Sequence, residues 1–275
     1  MSSQRVRVVG LLLLVAGLAA ALAGAVWKPA GSEAAAQGDE LTVFAAASLT
    51  DAFTELGGIF ESQQPGSRVR FNYGASSQLR LQLEQGARGD VFASADQPQM
   101  EQARAAGLVA GEPRVFASNL LVLITPRDNP GSIGTLEDLA RPGLRLVTTG
   151  LQVPIGAYTR VMLDRASRDS AYGADFAARV LANVRSEEDT VRAVVAKVQL
   201  GEADGGVVYT SDLTPAVAPE VQAIAIPEQL NVIATYPIAV VQGTRQAAQA
   251  QRFVDLVLSD TGQGVLARYG FQPPR

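Results

Sequence analysis

Short apolar segments alternating with amphipathic helical stretches predict an α/β chain, its strands in a mostly parallel sheet flanked by helices. Two further observations shape that reading. A chain of 275 residues can fill two modest cores, which favours two lobes over one large domain. A hydrophobic content of 47% against 18% charged residues is globular composition, not disorder. In open sheets of this kind, ligand sites gather at the carboxyl ends of the strands.

The first 37 residues are set apart from that pattern. Arg5 and Arg7 precede an apolar run over residues 8–26, followed by Trp27, Lys28 and a small, polar stretch containing Ala34-Ala35-Ala36. A basic start, an apolar centre and a small-residue site form a secretory signal. The run is also about long enough to span a bilayer, so a retained N-terminal anchor stands beside a cleaved signal. Either way the body of the chain is expected to be exported, to the periplasm or the outer face of the cytoplasmic membrane.

From residue 41 onward the elements follow one another closely. Residues 41–46 read as a buried strand, after which Leu49, Phe53, Leu56 and Phe60 mark one face of a helix. Ser48 is placed as the N-cap of that helix, with Asp51 turned back towards the same helix end as an approximate capping box. A second strand, 69–73, ends in Gly74-Ala75-Ser76-Ser77, where Leu79 and Leu83 begin another helical face. A strand at 90–93 and a surface helix at 97–106 follow, with Asp96 expected to cap that helix. The apolar strand 120–125 stops at Pro126, and a short helix at 135–139 precedes the strand 144–148.

The second half repeats the alternation. A helix opens at Val153-Pro154-Ile155-Gly156, where Pro154 suits a first turn. The next opens at Thr190, and Val191, Val194, Val195 and Val198 follow i, i+3, i+4, i+7 spacing. Residues 205–209 form a strand arriving at Tyr209, and 221–226 and 234–241 are two more. Pro237 inside the last of these suggests a sheet edge or a crossing between lobes. Helical patterns at 245–258 and 263–269 complete the chain.

Four strand-to-helix junctions share one chemistry. Ser48, the Ser76-Ser77 pair, Ile155 and Val191 each stand where a helix leaves unpaired backbone N–H groups at its positive end. Two of the four also carry hydroxyls, and Tyr209 adds a phenolic donor. If they converge, they form a pocket of neutral donors suited to a dianion. Phosphate near neutral pH keeps a proton and wants an acceptor in its site. A donor-only pocket therefore favours sulfate, molybdate or tungstate.

What is missing narrows the chemistry. The chain has no Cys and no His, which removes thiolate nucleophiles, the usual base of hydrolytic triads and the commonest transition-metal ligand. A serine hydrolase using Ser48 or Ser76 would be left with a carboxylate or Lys197 as base, so no catalytic residue is assigned. The net charge of −4 argues against a nucleic-acid partner. The same fold can serve as a sensing domain of a transcription regulator, but that would carry a basic DNA-binding segment, not an export signal.

The junctions sit within longer motifs. These are Val43-Phe44-Ala45-Ala46-Ala47-Ser48-Leu49, Tyr73-Gly74-Ala75-Ser76-Ser77-Gln78-Leu79 and Asp90-Val91-Phe92-Ala93-Ser94-Ala95-Asp96 in the first part of the chain. Val153-Pro154-Ile155-Gly156-Ala157-Tyr158, Glu188-Asp189-Thr190-Val191-Arg192, Val207-Val208-Tyr209-Thr210-Ser211-Asp212 and Tyr236-Pro237-Ile238-Ala239-Val240-Val241 follow. In this order, over residues 41–273, the set resembles the extracytoplasmic molybdate-binding proteins of ABC importers.

The resemblance implies a two-lobed periplasmic-binding-protein fold of type II with its ligand in the interlobe cleft. Residues 38–118 plus 237–275 would form one lobe and 119–236 the other. It places the ligand contacts on Ser48, Ser76, Ile155, Val191 and Tyr209, with Ser77 as a possible addition. The oxyanion would be held through its oxygens, without direct metal ligands and without a cofactor. One departure is Ile155, where the family often has Ala; the implied contact runs through backbone. The implied partners are molybdate or tungstate and a membrane permease, with the protein a monomer. Sulfate binding is the nearest alternative.

Overall fold

The computed structural model describes residues 40–274, so the expected signal or anchor at residues 1–37 lies outside the described residues. The first apolar run forms β1 (Glu40–Ala46), which passes through a short 3-10 turn at Ala47–Leu49 into α1 (Thr50–Gln63). The predicted stripe of Phe53, Leu56 and Phe60 is buried, as is Leu49. Next come β2 (Arg68–Gly74), α2 (Ser76–Glu84), β3 (Val91–Ala93) and α3 (Gln97–Ala105). A long strand, β4 (Val109–Pro126), leads to β5 (Leu146–Thr149) and α4 (Pro154–Arg168). Then follow α5 (Phe176–Ala182), β6 (Val184–Glu188), α6 (Val191–Gln199), β7 (Gly205–Tyr209) and β8 (Val221–Ala225). The last elements are β9 (Ile233–Val241), α7 (Ala247–Leu258) and α8 (Asp260–Arg268).

The strands follow the order β2-β1-β3-β9-β4-β7-β5-β6, with β8 also paired to β4. This mixed sheet has parallel flanks: β1 runs parallel to β2 and β3, and β5 parallel to β6 and β7. The strands between them, β9 and β4, run antiparallel to their neighbours. From Val109 to Leu120, β4 pairs with β9. From Leu121 onward it pairs with β7 and β8 instead. One continuous strand thus carries the sheet from the β1 side to the β5 side, and the carboxyl ends of both parallel sets turn towards a common region.

Pro237 does not mark an edge. It sits inside β9, between β3 and β4, opposite Val115, where the register slips before Ala117. A bulge there tolerates a residue with no N–H to give. The Pro237 carbonyl still accepts from Ser94 N–H at 2.9 Å.

The helices pack through aromatic contacts. Phe53 of α1 meets Phe116 of β4 and Phe253 of α7 with ring centroids 5.7 and 5.8 Å apart, mostly edge-on or tilted. On α6, Val191, Val194, Val195 and Val198 are all buried, as their spacing predicts.

Candidate anion-binding site

Ser48, Ser76, Ile155, Val191 and Tyr209 all line one cavity of about 20 Å³. The rest of its lining is Ala, Gly, Val and Pro154, with no charged side chain. Pockets for drug-sized ligands run to roughly 300–1,000 Å³, so this one admits only a small guest. Ser77 is buried beside it but does not line it, and its Oγ has no partner among the described residues.

Each junction is built locally. Helix α2 begins at Ser76 after Ala75 in extended backbone, and Ser76 Oγ accepts from Ala95 N–H at 2.9 Å. Helix α4 begins at Pro154, so Ile155 is its second residue and its N–H lies in the unpaired first turn. Gly156 completes that turn where a β-carbon would stand 2.2 Å from the Gly150 carbonyl oxygen. Only glycine lets α4 start this close to the end of β5. Thr190 caps α6, its hydroxyl accepting from Ala193 N–H at 3.3 Å, which leaves Val191 at the first helical position.

Two expectations about the first junction are corrected. Ser48 is not an N-cap; it lies within the 3-10 turn, and its Oγ meets Tyr236 Oη at 3.0 Å. The turn leaves Ser48 one residue short of α1, so its hydroxyl is not committed to the helix end. Asp51 does not fold back into a capping box either. Its carboxylate accepts from the guanidinium of Arg192 on α6, a charged donor that outcompetes a neutral backbone N–H. Both changes leave the cavity without a carboxylate.

The electrostatics suit a donor-lined site. Tyr209 is 1% exposed, and its hydroxyl has no hydrogen-bond partner among the described residues. Burial pushes its ionisation well above the ordinary phenol range, so it keeps its proton and remains a donor. Its backbone N–H donates to Asp212 Oδ2 at 2.9 Å, so Asp212 orients the Tyr209 turn. Burial raises the Asp212 carboxyl to about 6, with Arg192 opposing the rise. Asp96 caps α3 by accepting from Gln99 N–H at 3.1 Å, and burial raises it to about 6 as well. Neither carboxyl lines the cavity.

Sequence reasoning passed over two neighbours of this site. Tyr236 is fully buried and reaches Ser48 across 188 positions of sequence, a separation that no local spacing reveals. Arg192 follows Val191 directly, yet its role depends on α1: its Nε donates to the Ala47 carbonyl at 3.4 Å, and the same group bonds Asp51. Among the described residues, no cluster of three or more acidic, His or Cys side chains could hold a metal ion.

Residues 41–272 match the family model of the bacterial extracellular solute-binding proteins. The chain is 41% identical to the molybdate-binding protein ModA of Mycobacterium tuberculosis (strain H37Rv) over 263 residues, 95% of each chain. In structure it is similar to the periplasmic molybdate-binding protein of Azotobacter vinelandii, with a TM-score of 0.73 and 22% identity over 86% of this chain and 100% of that one. It is also similar to the sulfate-binding protein SubI of Mycobacterium tuberculosis H37Rv, with a TM-score of 0.77 and 20% identity over 86% and 87%. At those identities the two solved structures speak for the fold, that of periplasmic binding proteins. The resemblance read from the motifs therefore holds, and the chain belongs to the bacterial extracellular solute-binding proteins, a family of binding proteins that are not enzymes.

Proposed function

We propose that this protein captures molybdate, and tungstate with it, outside the cytoplasm and delivers it to an ABC permease. The observation that carries this reading is the convergence of Ser48, Ser76, Ile155, Val191 and Tyr209 on one small cavity without a charged group in its lining. The two serines supply hydroxyl and backbone N–H, Ile155 and Val191 backbone N–H, and Tyr209 its hydroxyl. Hydrogen bonds to a charged group contribute about 1.5–3 kcal/mol each, so several hold a dianion firmly without a cationic partner. The start of α2, α4 and α6 at the same cavity adds the positive ends of three helices. The molybdate-binding relative supports the choice of guest.

In this reading the lobes are residues 38–118 plus 237–275 and residues 119–236, closing about the β4 and β9 crossings with no chemistry on the ligand. The protein acts as a monomer in the periplasm or at the outer face of the membrane. Among the described residues no helix is long and apolar enough to cross a bilayer. Calorimetric titration of the exported chain with molybdate, tungstate, sulfate and phosphate tests the assignment. Molybdate and tungstate are expected to bind tightly, and phosphate only weakly. Tight phosphate binding without molybdate binding would reverse it.

A further inference from the structure

Ser48 can serve a dianion only if its hydroxyl hydrogen points into the cavity, and the surrounding bonds decide where that hydrogen goes. Asn119 is fully buried, and its Oδ1 accepts from Leu120 N–H at 3.0 Å and from Thr210 Oγ1 at 2.8 Å. The backbone donor pins the orientation of the amide. Its Nδ2 therefore faces Ser211 Oγ at 2.8 Å and Tyr236 Oη at 3.5 Å. An amide nitrogen cannot accept. Among the described residues, the remaining partner of Tyr236 Oη is Ser48 Oγ at 3.0 Å. Tyr236 is 0% exposed, so its proton cannot turn to bulk water. It goes to Ser48, because a buried donor left unpaired is costly.

We propose that Tyr236, held by Asn119, is a positioning and specificity-determining residue that fixes Ser48 as a donor towards the cavity. The Tyr236 proton occupies a lone pair of Ser48 Oγ and leaves the Ser48 hydrogen for the guest. Ser76 is set the same way from its own side, since its Oγ accepts from Ala95 N–H. Both serines then present hydrogens, each with one lone pair already filled, which disfavours a guest that must itself donate, such as hydrogenphosphate. This deepens the oxyanion-binding reading above and rests on it.

The test compares wild type, Tyr236→Phe, Ser48→Ala and the double variant by calorimetric titration with molybdate and with inorganic phosphate at pH 6 and pH 8. Tyr236→Phe keeps the ring and its packing, and a thermal melt checks the fold. The variant is expected to lose about 3- to 10-fold in molybdate affinity, equivalent to about 0.7–1.4 kcal/mol, the scale of one neutral hydrogen bond. It is also expected to lower the molybdate-to-phosphate affinity ratio at least tenfold, most at pH 6, where more phosphate carries its extra proton. In the Ser48→Ala background the same change is expected to leave the ratio untouched. A Tyr236→Phe variant that weakens both anions equally, or shifts the ratio equally with and without Ser48, overturns the proposal while the oxyanion reading stands. A wild-type chain that binds none of the oxyanions overturns that reading itself.

Discussion

Replacing Tyr209 with phenylalanine separates binding from folding because the hydroxyl serves only one of them. It lies 1% exposed at the cavity wall, without a hydrogen-bond partner among the described residues. Its ring stays packed edge-on against Tyr236, with centroids 5.9 Å apart, and the phenylalanine ring keeps that contact. Removing the oxygen therefore takes no bond from the protein and relieves a desolvated polar group, whose unmet cost is about 1–3 kcal/mol. The ligand-free melting temperature is expected to hold or rise. Molybdate loses one hydrogen bond to charge, about 1.5–3 kcal/mol, or roughly 10- to 150-fold in affinity. Titration calorimetry reads the affinity and a thermal melt reads the fold. Affinity within twofold of wild type would refute Tyr209 as a donor to the guest. A drop in affinity matched by a drop in melting temperature would point to packing instead.

Other perturbations test the neighbouring parts. Arg192→Ala removes the link from α6 to Ala47 and Asp51 and leaves the buried Asp212 without its cation 3.7 Å away. Molybdate dissociation measured by stopped flow is expected to quicken about tenfold, equivalent to about 1.4 kcal/mol; an unchanged rate would contradict the link. Gly156→Ala forces a β-carbon against the Gly150 and Thr149 carbonyls and so displaces the first turn of α4. We expect a stability loss of about 1–3 kcal/mol by chemical denaturation together with weaker anion binding. For Asp96, burial raises the folded carboxyl to about 6 above its ordinary value of 3.8, so ionisation works against folding as pH rises from 4 to 6. Asp96→Asn keeps an oxygen for the Gln99 N–H and has no charge to bury. Relative to wild type it is expected to gain on the order of 1–3 kcal/mol above pH 6 and nothing near pH 4, as read by denaturation at each pH.

The junctions were legible in the sequence because a buried parallel strand and the helix after it have different periods. The change from one to the other fell at Ser48, Ser76 and Pro154, within a residue or two of the observed starts, while Thr190 was read from the valine spacing of the helix that follows it. The first half of β4 was not legible. Residues 109–119 mix Gly, Glu, Pro and Arg without alternation, and they hold their place by pairing with β9 across two register slips. Strand β6, Val-Arg-Ser-Glu-Glu, hides for a related reason: it ends the sheet, half exposed, with no apolar face to declare it. Helix α5 is only seven residues long, too short for a helical period to stand out.

The site divides along the same line. Backbone donors at helix starts follow from local pattern, whereas the bonds that aim the side chains do not. The Arg192 link to Asp51 spans 141 positions and that of Tyr236 to Ser48 spans 188. Local spacing favoured a capping box for Asp51; tertiary structure offered it a guanidinium, and the ion pair won.

In the proposed site, uncharged donors enclose a guest that brings no proton and finds no acceptor. The most direct measurement is the number of protons exchanged when molybdate binds, from calorimetry at pH 7.5 in two buffers of different ionisation heat. We expect the binding enthalpy to be the same in both buffers, with no proton taken up or released. A buffer-dependent enthalpy corresponding to about one proton would mean that a titrating group of the protein faces the anion, and the donor-only site would be wrong.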